Sequence, residues 1–203
     1  MWSAELLRAR FAMADLPWQP EPLEERFFKD RDPADAAVLV PLVQRQDDLY
    51  VLLTLRTAHL NDHAGQISFP GGRCEPEDGG PIETALRETA EETGLAREFI
   101  EVLGTMPVYQ TATNFMVTPV VALVRPGFTL HPDAFEVEEV FEVPLSFLMN
   151  VENHQQRSLH TPMGERTFYA MPYNSPESGK NYFIWGATAA MLRNLYHFLS
   201  AKA

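Results

Sequence analysis

Cysteine is nearly absent from this chain: Cys74 stands alone among 203 residues. No disulfide can form within the chain, and the expected setting is a reducing, cytoplasmic one. Basic residues are few as well, 16 Lys and Arg against 28 Asp and Glu, for a formal net charge of -12 and a pI near 4.9. That balance argues against a nucleic-acid surface or an anionic membrane as partner. An anionic small molecule would have to be met by local cations, against the overall field. Long apolar runs are missing too: no stretch approaches the roughly 20 residues that a membrane span needs. Residues 1–16 are too charged to read as a secretory signal. There is no internal repeat and no low-complexity segment. The length suits one domain with a well-buried core, or two small ones.

What is present is a stretch, residues 71–95, that organises the rest: GGRCEPEDGGPIETALRETAEETGL. Its second half reads as a helix. Pro81 suits the first helical position after the glycines, and Gly94 suits the residue just past the end. Within it Glu88, Glu91 and Glu92 stand at i, i+3 and i+4, which puts three carboxylates on one face. Like charges at that spacing destabilise an isolated helix. On charge alone this is a solvated acidic face; with a compensating partner it is a site for a hard divalent cation held by oxygen. Ile82, Ala85, Leu86 and Thr89 form the opposite, less polar face, expected to pack on a sheet. Cys74, with acidic neighbours beyond Arg73, reads as an incidental loop residue rather than a thiol nucleophile.

The flanking segments read mainly as strands. Residues 4–13 suggest a short amphipathic helix and residues 17–33 a proline-punctuated arm. Residues 36–43 and 49–55 are apolar runs joined by a polar turn at 46–48, a hairpin signal. Pro41 within the first run implies an edge position or a bulge. Residues 101–104 and 116–124 read as further strands, the latter with Pro119. Between them lies a polar-aromatic loop, 109–115, in which Tyr109 or Phe115 is a candidate to stack on a base. Residues 166–171 and 182–185 form a second hairpin, followed by an apolar helix at about 187–199. Gly186 is expected to let that helix start close to the strand.

Two resemblances sharpen this reading. Residues 72–95 resemble the signature of the Nudix hydrolases, Gly-x5-Glu-x7-Arg-Glu-U-x-Glu-Glu-x-Gly-U with U bulky and apolar. Arg87 to Leu95 matches its second half, with Thr89 in an apolar slot. Fourteen residues rather than thirteen separate Gly72 from Arg87, and Asp78 stands where the signature has its first Glu. Residues 52–72, LLTLRTAHLNDHAGQISFPGG, are similar to the extra motif of the coenzyme A pyrophosphatase subfamily, Leu-Leu-Thr-x-Arg-Ser-x3-Arg-x3-Gly-x3-Phe-Pro-Gly-Gly. Thr57 replaces its Ser and Asn61 its second Arg, which removes a bidentate phosphate partner that an amide cannot replace. His59, His63 and Arg73 are candidates for the missing charge. His59 and His63 at i, i+4 also invite a zinc reading, which lacks a third ligand. Residues 182–188 resemble the Ile-Trp-Gly-x-Thr ending of the same subfamily.

The resemblance implies an α/β (α+β) Nudix fold, a mixed β-sheet sandwiched between α-helices. Residues 1–35 would be an N-terminal helix and arm packing on a domain at 36–203. It implies a pyrophosphohydrolase using Mg2+ or Mn2+ held by Glu88, Glu91 and Glu92. Arg87 would clamp a box glutamate as a positioning ion pair, and Glu88 or Glu136 would serve as general base. Similarity of the segment around 136–145 favours Glu136 over Glu138. Arg56, Gly71, Gly72, Arg73 and Phe115 are the expected substrate-binding residues. Arg56 reads equally as a phosphate ligand and as a surface ion pair. The implied substrate is coenzyme A or acyl-coenzyme A. The rivals are another nucleoside diphosphate derivative, such as ADP-ribose or a dinucleotide, and a Nudix-fold binding module without catalysis. A homodimer is compatible with the apolar termini.

Overall fold

The computed structural model describes residues 2–13, 16–21, 32–46, 48–59, 65–161 and 164–202. Helix α1 (Ala4–Phe11) precedes β1 (Ala34–Gln44), β2 (Leu49–Arg56), β3 (Ile67–Ser68) and β4 (Gly71–Arg73). Helix α2 (Pro81–Thr93) leads to β5 (Ile100–Thr105), β6 (Tyr109–Gln110), β7 (Phe115–Val124), β8 (Val137–Pro144) and α3 (Leu145–Leu148). The chain ends with β9 (Gln155–Thr161), β10 (Gly164–Asn174), β11 (Asn181–Trp185) and α4 (Gly186–Ser200).

Strands β1 to β8 form one mixed sheet, in which β1 and β7 run parallel and every other pair antiparallel. The near-continuous apolar run of β1 follows from its central place, since both of its faces are covered. On one face Ala37 and Leu39 of β1 and Val120 and Ala122 of β7 pack against Ala85 and Leu86 of α2. On the other, Val40, Leu42, Val121 and Phe141 share a larger core with Met171, Ile184, Met191 and Leu195 from β10, β11 and α4. Leu7 of α1 joins this second layer and is fully buried. No helix among the described residues is long and apolar enough to cross a membrane.

Several local expectations need correction. Pro41 lies in a central strand, not at an edge. The amide it lacks falls in a gap, because on that side the β4 pairing ends at Val38, Leu39 N donates to Pro70 O, and the β2 pairing begins at Leu42. Pro119 falls in a similar gap, between the β6 pairing at Val117 and the β5 pairing at Val120. Tyr109 is only 2% exposed and belongs to the core, so it is not a stacking platform. Ile82 is 37% exposed, whereas Thr84, Ala85, Leu86, Thr89 and Thr93 are buried. Thr89 fits its apolar slot because its hydroxyl donates to Ala85 O at 2.6 Å within the helix. Gly186 meets nothing that a Cβ would touch; its requirement is a φ of 62° at the strand-to-helix corner. The 164–185 hairpin carries an unforeseen third strand, β9, whose side chains are exposed wherever described and give no alternating signal.

Candidate active site

Three backbone segments meet at the candidate site. Strand β2 ends at Arg56, where a register shift relative to β8 brings Glu136 alongside, with Thr57 N donating to Glu136 O at 3.0 Å. The Phe69–Pro70–Gly71–Gly72 turn is pinned to β1 by Leu39 N to Pro70 O at 2.9 Å and by the pairing of Gly71 with Val38 and Gly72 with Ala37. The third segment, α2, begins with Pro81 after Gly80 and stops at Gly94, whose φ is 71°. Both turn glycines are required by contact. A Cβ on Gly71 would strike Ala37 O and the Val38 backbone, and one on Gly72 would strike the Glu88 carboxylate.

The carboxylates of α2 have different environments. Glu92 is 3% exposed. Its Oε1 accepts from Arg56 Nη1 and its Oε2 from the Gly71 N–H, both at 3.1 Å. Burial raises its pKa to about 7, with Glu136 and Glu88 adding to the rise and Arg56 and the Gly71 amide opposing it. Glu88, half-buried, is raised by desolvation against the pull of Arg87. Arg87 gathers the remaining acids. Its Nε and Nη2 reach the two oxygens of Asp78 at 2.9 Å each, and its Nη1 reaches Glu88 at 3.0 Å and Glu91 at 3.1 Å. Asp78 also accepts from Thr84 and from the Glu75 amide, and with Arg87 these hold its carboxyl well below the usual range. Arg56 extends to Glu136 at 3.9 Å. The result is an acidic cluster in which two guanidinium groups hold five carboxylates.

A model of the NUDIX domain matches residues 33–163. The chain is a Nudix hydrolase. It is 39% identical over 160 residues to an uncharacterized Nudix hydrolase NudL of Yersinia enterocolitica, covering 79% of this chain and 78% of that protein. An uncharacterized NudL of Klebsiella pneumoniae is 38% identical over 167 residues, covering 82% of this chain and 83% of that one. Among solved structures, the Nudix hydrolase RenU from M. smegmatis superposes with a TM-score of 0.50 at 24% identity, over 57% of this chain and 73% of that one. This likeness bears on the fold alone. Nudix hydrolases generally use divalent metal ions such as Mg2+ or Mn2+.

The structure gathers Asp78, Glu88 and Glu91 around Arg87 and sets Glu92 apart, against Arg56 and the Gly71 amide. Arg87 does bind box glutamates, and its bidentate partner is Asp78, so the altered first half of the box still closes a pair. Arg56 is held in an ion pair with buried Glu92 at 3.1 Å. Among the described residues no three His, Cys, Asp or Glu side chains are arranged to hold a metal ion. Glu88 and Glu91 face Arg87, and the Glu91 side chain is 61% exposed. The donor set nonetheless fits a hard cation, being all carboxylate, crowded, and in Glu92 desolvated beyond what one arginine offsets. Arg73, whose backbone carbonyl accepts from Arg87 Nη2 at 3.2 Å, lies with its guanidinium carbon 5.2 Å from the Phe115 ring centroid. Asn61 and His63 lie outside the described residues. One neighbour escaped the sequence reading: Phe135, 64% exposed, packs edge-on to His59 at 4.9 Å beside Glu136.

Proposed function

We propose that this Nudix hydrolase is a metal-dependent pyrophosphohydrolase of nucleoside diphosphate derivatives, with coenzyme A or acyl-coenzyme A as substrate. The products are 3',5'-ADP and (acyl) 4'-phosphopantetheine. The observation that carries this reading is the Glu92 carboxylate, where Arg56 and Gly71 of the 52–72 motif both bind a glutamate of the Nudix box. The two sequence signatures thus form one site. Glu88, Glu91 and Glu92 would hold the cation, which when bound neutralises the diphosphate and acidifies a nearby water. Glu136 or Glu88 accepts the proton from the water that attacks phosphorus. Arg87, fixed by Asp78, orients Glu88 and Glu91. Arg56, Arg73, the Gly71–Gly72 turn and Phe115 line the approach of the substrate, with Phe115 available to a base. The lone cysteine favours a cytoplasmic setting.

Asn61 favours a second reading, hydrolysis of a substrate without a 3'-phosphate, such as ADP-ribose or a dinucleotide. Cleavage of coenzyme A, 3'-dephospho-coenzyme A and ADP-ribose with Mg2+ or Mn2+, beside a Glu92→Gln control, tests both. A clear preference for coenzyme A with a dead control is the expected result. Preference for ADP-ribose would transfer the assignment to the second reading.

A further inference from the structure

Of the acids gathered at the candidate site, Asp78, Glu88, Glu91 and Glu92 belong to α2 and the turn before it. Glu136 reaches them from elsewhere, the last residue of the 125–136 loop between β7 and β8. Its carboxylate stands 3.9 Å from Arg56 Nη2, and its charge helps to raise the pKa of both Glu88 and Glu92. No helix or strand carries Glu136, so whatever fixes its backbone decides where its carboxylate stands.

All four main-chain polar groups of Phe135 and Glu136 are engaged, and two residues engage them. On one side is Asp133, whose Oδ1 accepts from Phe135 N at 2.9 Å and whose main-chain O accepts from Glu136 N at 3.0 Å. On the other is Thr57, whose Oγ1 donates to Phe135 O at 2.8 Å and whose N–H donates to Glu136 O at 3.0 Å. The two clamps do different things. Asp133 is exposed and lies in the same loop, so it sets the shape of the turn. Thr57 is 7% exposed and directly follows β2, a strand paired at that end with both β3 and β8. It therefore sets the place of the turn against the sheet. Valine at 57 would fill the same space and leave Phe135 O without this donor.

We propose that Thr57 is a positioning residue for Glu136. Its hydroxyl and amide lock the 135–136 backbone to the end of β2, which holds the Glu136 carboxylate beside Arg56 and the acids of α2. Thr57 moves no proton itself; it acts through Glu136. This rests on the reading of Glu136 as the general base.

The test is a cycle of Thr57→Val, Thr57→Ser and Glu136→Gln, with Thr57→Val also made in the Glu136→Gln chain. Turnover is measured with Mg2+ or Mn2+ on whichever of coenzyme A, 3'-dephospho-coenzyme A and ADP-ribose the wild type cleaves fastest. Amide hydrogen exchange across 133–137 is followed without metal. Thr57→Val should lower kcat about 10–100-fold with KM within about twofold, and should speed exchange of the Phe135 and Glu136 amides about tenfold. Thr57→Ser restores the hydroxyl and should recover most of both losses. Glu136→Gln should lower kcat about 100-fold or more, and Thr57→Val added to it should lower kcat no further. Asp133→Ala loosens the same turn from its exposed side. It should show the same loss and the same dependence on Glu136, and it stands in if Thr57→Val does not fold. If Glu136→Gln is impaired while Thr57→Val keeps wild-type kcat or wild-type exchange, the inference falls and the base reading stands. An equal further loss from Thr57→Val in the Glu136→Gln chain also overturns it, since Thr57 would then act elsewhere. If Glu136→Gln turns over like the wild type, or the wild type cleaves none of the three substrates, the base reading falls and takes the inference with it. That result is visible before Thr57 is changed.

Discussion

Arg56 and Glu92 form a 3.1 Å ion pair across the end of β2 and the underside of α2, with the glutamate almost wholly buried. Removing one partner differs from removing both. Arg56→Met leaves a desolvated carboxylate with only the Gly71 amide and should lower stability at pH 8 by about 1–3 kcal/mol. Glu92→Gln removes the buried charge itself and should stay within about 1 kcal/mol of the wild type, and the double variant should recover most of the single loss. Activity should not follow this pattern, since every variant lacking Glu92 falls at least about 100-fold. Denaturant melts set beside turnover decide it. A double variant no more stable than Arg56→Met would show that the pair is not what holds these elements.

The two glycines of the turn are tight for different reasons, and alanine separates them. At Gly72 the obstructing atoms are the far end of the Glu88 side chain, which can swing away. Gly72→Ala should keep its fold to within about 1 kcal/mol while losing turnover through a displaced Glu88, about 10–100-fold. At Gly71 the obstruction is the β1 backbone, which cannot yield. Gly71→Ala should cost about 1–3 kcal/mol or more in stability. Thermal melts of the two variants, read beside their kcat, check the contrast. Equal destabilisation of both would refute it.

Asp78 holds Arg87 through two parallel hydrogen bonds, and through it Glu88 and Glu91. Asp78→Asn keeps the shape but loses the charge and one acceptor. It should raise the metal concentration needed for half-maximal activity by about 10–100-fold, with a smaller effect on kcat at saturating metal. Metal titration of activity is the measurement; an unchanged midpoint would mean that Arg87 is fixed without it.

These relationships were legible in the sequence to unequal degrees. The span of α2, its glycine stop and the pairing of β1 with β2 follow from local rules, because proline, glycine and apolar runs act within a few residues of themselves. The Nudix spacing likewise brought Arg87 to the acids, and Asp78 was flagged by position even though its bidentate grip was not. Arg56 reads equally as a phosphate ligand and as an ion pair because its partner, Glu92, is 36 residues away and only the folded turn brings them together. Pro41 misled because the gap it occupies is made by two other strands, β4 and β2, that stop and start on either side of it. The exposed β9 has no buried face to set a pattern, and the stacking of Tyr182 on Phe141 joins strands distant in the chain.

The N-terminal segment is fastened to α4 by a carboxylate. Glu21 Oε1 accepts from Arg193 Nε at 2.7 Å and lies 2.9 Å from His197 Nε2, while the Glu21 amide donates to Asn194 at 2.7 Å. Arg193 in turn lies over the Tyr169 ring at 3.8 Å. Burial alone would raise the Glu21 pKa, but the hydrogen bonds from His197 and Arg193 outweigh it, and the folded value lies below 4.5. A carboxylate depressed on folding binds its proton more weakly in the native state. Its contribution is therefore complete above about pH 4.5 and is lost as pH falls through the lower folded value. Glu21→Gln should cost roughly 1–3 kcal/mol at pH 7, and the gap between variant and wild type should narrow as the pH is taken below 4. Denaturant unfolding at pH 7, 5 and 3.5 reads this directly. A gap that stayed constant with pH would mean that the segment is held by Trp18 and Phe11 against Phe198, and not by the charge.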